Sequence, residues 1–98
     1  MKYYAALITA VADQASITAA MDEHHRYMAT LDEAGRILAS GPFEATPTSR
    51  ASMIILATGT PAEARALMDA EPLTAKGLRT YELRTWDVRE GTVTRLPQ

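Results

Sequence analysis

His24 is the residue whose type and position point most directly to chemistry. From Ile17 to Leu31 the apolar residues Ile17, Ala20, Met21, Tyr27, Met28 and Leu31 recur at helical spacing, as on one buried stripe. At about 100° per residue His24 falls in the middle of that stripe, and Asp22, Glu23, Arg26, Thr30 and Glu33 fall opposite. An imidazole aimed inward needs a hydrogen-bond partner and titrates near neutral pH. The same pattern therefore fits two roles: a core histidine satisfied by a carbonyl or hydroxyl, and a general acid/base.

A second group of candidates is Ser40-Gly41-Pro42-Phe43. Ser40 places a hydroxyl at a strand end, where it could bond a substrate oxygen, and Gly41 would let a ligand approach the main chain closely. A plain turn has the same composition. Among the aromatic residues Tyr3, Tyr27, Phe43 and Trp86, the tyrosines Tyr3 and Tyr27 are expected nearest His24 and so to border a pocket. Arg50 and Arg84 could hold a substrate carboxylate or phenolate, although no spacing singles them out. The neighbouring His24 and His25 point about 100° apart on a helix and make a poor chelate. No GxGxxG, P-loop or zinc-ligand pattern is present, so no metal and no cofactor is expected.

The elements that must position these residues follow from local signals. Lys2 to Ala10 reads as a strand. Asp13 or Ser16 can cap a helix running to Ala34, with Gly35 as its left-handed stop. Arg36 to Glu44 and Ser52 to Thr58 read as strands around a polar loop at 45–50. Thr60-Pro61-Ala62-Glu63 opens a second helix as a capping box, and Pro72 should end it by Ala70 or Glu71. Leu78 to Val88 alternates as a last strand, and Glu90-Gly91 is expected to turn a short tail hairpin.

The order is βαββαβ, an α+β ferredoxin-like subunit with an antiparallel sheet and two helices on one face. The run Met53 to Ala57 presents large apolar side chains to both faces of its strand, so the face without helices also needs a cover. A second copy is the simplest one, giving a homodimer of facing sheets, a dimeric α/β barrel, from which higher oligomers could be built. With 98 residues the chain is expected to be one domain, with its core in 1–88 and a tail at 89–98. The absence of cysteine excludes disulfides and thiolate chemistry. A formal charge of -2 with scattered basic residues argues against nucleic acid and against a membrane surface. Met1-Lys2-Tyr3-Tyr4 enters the first strand with no signal-like apolar core, and a cytoplasmic location is the expectation.

These residues, taken in order, resemble the YciI-like (YCII-related) family. The resemblance is carried by Lys2-Tyr3-Tyr4, by His24-x-x-Tyr27 followed by Glu33-Ala34-Gly35-Arg36-Ile37-Leu38, and by Ser40-Gly41-Pro42-Phe43. It continues through Thr60 to Leu67, Glu71-Pro72-Leu73 with Gly77, and Arg84-Thr85-Trp86. It implies a ferredoxin-like subunit, a dimeric α/β barrel, a pocket around the histidine and, in some members, cofactor-free chemistry on hydroxylated aromatics. It also implies that the acid before Pro72 orients His24. The family usually has aspartate there, whereas this chain has Glu71, whose extra methylene shifts the carboxylate by about 1.5 Å on a fixed backbone. Asp69 is the reserve partner.

The expected function is therefore a lyase or isomerase acting on a small polar metabolite, a hydroxylated aromatic or a lactone, with His24 as acid/base and Glu71 as its orienter. A non-catalytic module that holds a small metabolite in the same pocket is the alternative.

Overall fold

The computed structural model describes residues 2–95. Four strands form one antiparallel sheet: β1 (Lys2–Ala10), β2 (Ile37–Pro42), β3 (Ala51–Thr58) and β4 (Arg79–Trp86), in spatial order β2-β3-β1-β4. The helical segments α1 (Gln14–Ala19), α2 (Met21–Glu33), α3 (Pro61–Ala70) and α4 (Pro72–Ala75) cover one face. The ferredoxin-like arrangement expected from the order of elements is the one found. No helix among the described residues is long and apolar enough to cross a membrane.

Local chemistry sets the ends of the elements. Asp13 caps α1 by accepting the Ser16 amide at 2.7 Å, so Asp13 and not Ser16 is the cap. Gly35 adopts φ +72° after α2, the left-handed conformation that only glycine takes at little cost. Thr60 accepts the Glu63 amide at 3.2 Å, and the Glu63 carboxylate reaches back to the Gly59 amide at 3.3 Å, one residue earlier than a standard capping box.

Two expectations need correction, and one helical turn is additional. The first helix is not continuous: at Ala20 (φ -102°, ψ 1°) the amide bonds Ile17 O at 3.0 Å, an i→i−3 closure that ends α1 and re-aims α2. No proline or glycine marks that break. The helix opened by Thr60 and Pro61 ends at Ala70, before Pro72, as expected; the chain then turns at Glu71, and Pro72 becomes the first residue of a further short helix, α4. Glu90-Gly91 forms no hairpin; Gly91 (φ +119°) leads into a 3-10 turn, Thr92–Arg95, with Thr94 bonded back to Gly91 O. Residues 96–98 of the tail lie outside the described residues.

The core is asymmetric. Tyr4, Ala6 and Ile8 of β1 and Ile54 and Leu56 of β3 pack under Ala64 and Met68 of α3. From α2 only Met28 reaches this cluster, and only at its edge. The helices α1 and α2 therefore stand off the sheet, and small residues at that end (Ala10, Ser40, Gly41, Ala51, Ser52) leave room beneath them. Ile55 and Ala57 of β3 project to the opposite face of the sheet, in register with Ala5 and Tyr3, and are buried as well.

Candidate functional site

The space under α1 and α2 is a cavity of about 520 Å³. Its walls come from every layer around it: Ile17 of α1, Met21, His24 and Met28 of α2, Ile8 and Ile54 of the sheet, and Ser40 to Phe43 along the β2 edge. Register with Ile54 and Ser52 turns Ser40 and Pro42 toward the helix-bearing face. The β2 side is open, and Phe43 is 52% exposed.

His24 is set in this wall by the α2 stripe, and its Nδ1 lies 2.6 Å from Glu71 Oε1. Glu71 is wholly buried. It is the N-cap of α4: Oε1 accepts the Leu73 amide at 3.1 Å, and Oε2 accepts the Thr74 amide at 2.9 Å and the Thr74 hydroxyl at 3.0 Å. Arg79 Nη2 stands 3.2 Å from the same Oε2. A buried carboxylate is tolerated only when its lone pairs are met, and these donors meet them. Burial alone would push the Glu71 carboxyl up. The His24 hydrogen bond, the two backbone amides and the Arg79 charge outweigh it and hold the group down at about 2.

An ionised Glu71 can only accept. Nδ1 of His24 must therefore carry the proton in their bond, which leaves the lone pair of the neutral ring on Nε2. The arrangement is a base held in one tautomer by a buried carboxylate. The longer glutamate side chain spans both tasks, reaching the α4 amides and His24 from one backbone position.

The other expected residues divide. Ser40, Gly41, Pro42 and Phe43 line the cavity with His24. Tyr27 does not: its hydroxyl donates to Leu67 O at 2.7 Å and ties α2 to α3, and burial followed by the Glu71 charge raises its pKa, which keeps that proton in place. Tyr3 is also misplaced, because Tyr4 takes the inward position on β1 and strand alternation turns Tyr3 to the opposite face. Arg84, paired with Ala5, lies on that opposite face too. Arg50 borders the cavity while donating to Gln14 Oε1 and Ala12 O, both at 2.7 Å. Asp69 accepts from the Tyr81 hydroxyl at 2.6 Å and is no partner of His24. His25 is exposed at the cavity edge, its ring 5.5 Å from that of His24 and tilted 51° to it.

Sequence reasoning missed Arg79, which is 9% exposed and borders the cavity. A signal was available: Arg79, Tyr81 and Leu83 share one face by alternation, so an inward Leu83 implies an inward Arg79. An inward arginine demands an anion.

The fold and site together define a ferredoxin-like α+β protein with a buried His–carboxylate pair at a ligand-sized cavity. The chain belongs to the YCII-related domain family, whose pattern it matches over residues 1–87. Among solved structures it is similar to 5-chloro-2-hydroxyhydroquinone dehydrochlorinase (TftG) from Burkholderia phenoliruptrix AC1100, solved in complex with 2,5-dihydroxybenzoquinone. That likeness has a TM-score of 0.60 at 20% identity and covers 85% of this chain and 93% of the other. At that identity it speaks for the fold. No curated protein matches the sequence.

Proposed function

We propose that this protein is a cofactor-free lyase or isomerase in which His24 moves a proton on a small, hydroxylated ring substrate. The observation that carries this reading is the 2.6 Å His24–Glu71 bond in the wall of the cavity. Nε2 takes a proton from a substrate hydroxyl or activated carbon, and the adjacent carboxylate stabilises the imidazolium that forms. The same nitrogen then returns the proton to another atom of the substrate, or to water after a leaving group departs. The choice of a hydroxylated aromatic over a lactone follows the structural relative, whose own substrate is one. Ser40, Phe43 and Met28 line the cavity, which supports Ser40 as the partner of a ring oxygen and Phe43 and Met28 as the walls around the ring.

A second copy would cover Leu7 and Trp86, which are 37% and 44% exposed on the face that also carries the already buried Ile55 and Ala57, and so complete a homodimer. The open β2 side favours a second reading, a module that binds a metabolite without turning it over, because proton transfer of this kind gains from exclusion of water.

Turnover of chlorinated and unchlorinated hydroxyhydroquinones and related lactones, followed by NMR, tests the enzymatic reading. The wild-type chain should convert at least one, and His24→Gln should lower kcat by about 10²–10⁴-fold with little change in melting. A His24→Gln chain that turns over at the wild-type rate removes the base. Binding without product, lost in the same variant, selects the second reading.

A further inference from the structure

We infer that the ligand of this cavity presents an anionic oxygen, a carboxylate or an ionised ring hydroxyl, and that Arg79 is the residue that receives it. The inference rests on the cavity being the substrate site, and it deepens that reading to a charge class.

Two independent observations support it. The chain carries 12 acidic against 10 basic residues, yet among the described residues no aspartate or glutamate lines the cavity. Its charged and titratable lining consists of Arg50, Arg79, His24 and His25. The groups a ligand meets first are therefore basic, with the Glu71 charge set behind His24 and Arg79.

The second observation is the incomplete pairing of Arg79. Its side chain is nine-tenths buried at the cavity. Nη2 is near enough to Glu71 Oε2, at 3.2 Å, for charge attraction, but it is off the line that a hydrogen bond requires. Nε has no acceptor among the described residues. Glu71 meanwhile is saturated by His24, Leu73 and Thr74. Nε and Nη2 have almost no accessible surface, so the guanidinium is a buried cation at the cavity wall whose donors the chain leaves unmet and whose charge only Glu71 offsets; an anion drawing it forward into the cavity would meet them.

Proton transfer adds a charge argument. With His24 neutral, Glu71 and Arg79 cancel. When the substrate O–H bond breaks and an Nε2–H bond forms, the electron pair stays on the oxygen and the three-residue cluster gains one positive charge. An oxyanion beside Arg79 balances that charge where it arises.

The test compares matched ligands by NMR titration or calorimetry: 2,5-dihydroxybenzoate against its methyl ester, and 4-nitrocatechol against catechol under mildly alkaline conditions. The wild-type chain should bind at least one anion about tenfold more tightly than its neutral partner. A preference confined to the first pair identifies a carboxylate, and one confined to the second an ionised hydroxyl. Arg79→Met should bring the ratio to about one, Arg79→Lys should keep part of it, and Arg50→Gln should change it less. The wild-type comparison needs no variant, so a poorly folded Arg79→Met leaves the inference testable. Equal binding of charged and neutral ligands, binding of none of the four, or an unchanged ratio in a folded Arg79→Met overturns it. A flat ratio alongside His24-dependent turnover would remove the charge assignment and leave the base.

Discussion

Glu71 Oε1 stands 2.6 Å from His24 Nδ1, across 47 positions of sequence and from the residue that caps a new helical turn. One carboxylate thereby caps α4, fixes a tautomer and neutralises Arg79. Glu71→Gln removes the charge and strands the buried guanidinium, which is expected to cost about 3–5 kcal/mol. Glu71→Asp keeps an acid at a cap position that favours aspartate, so its cost should stay within about 1–2 kcal/mol. Urea denaturation of both variants checks the ordering; a Gln variant as stable as the wild type would deny the carboxylate its role in charge pairing.

The depressed pKa of Glu71 gives a pH signature. The folded value, about 2, lies below the ordinary glutamate value of 4.5, so the unfolded chain binds the proton more readily. Its contribution is complete above the unfolded pKa and disappears as pH falls from about 4.5 to about 2. The loss over that window should reach about 3 kcal/mol. Stability measured by denaturant at successive pH values should therefore fall through this range, and the fall should be shallower in Glu71→Gln.

Tyr27→Phe separates support from chemistry. The lost bond to Leu67 O leaves a part-buried carbonyl without its partner, at a cost of about 1–3 kcal/mol. Because Tyr27 does not border the cavity, ligand affinity should stay within about twofold of wild type, as titration of the variant would show.

Leu7→Glu tests the proposed second copy. Leu7 lies on the face without helices, opposite Met53 in the strand register. A charge there should bring a sedimenting dimer to the mass of one chain while leaving the far-ultraviolet dichroism unchanged. A wild-type chain that sediments as a monomer would refute the dimer directly.

Much of this architecture is written in local signals. The Thr60-Pro61 start, the Gly35 stop and the period of the His24 stripe each follow from backbone chemistry within a few residues, and each is where it was expected. The Glu71 partnership rested on resemblance alone, since no local pattern joins positions 24 and 71. What escaped notice was set by packing at a distance. The bend at Ala20 carries no breaker residue, and Pro72 serves equally as an end and as a beginning. Tyr3 and Tyr4 differ only in parity along a strand, which a single aromatic pair does not reveal. Arg79 was passed over because arginines usually sit in water.

Leu73 lines the cavity and gives its backbone N–H to Glu71 Oε1, the same oxygen that accepts the His24 Nδ1–H hydrogen bond. Any shift of Leu73 changes the amide bond that shares that oxygen with the histidine, so the cavity wall and the His24–Glu71 pair are tied through one peptide unit.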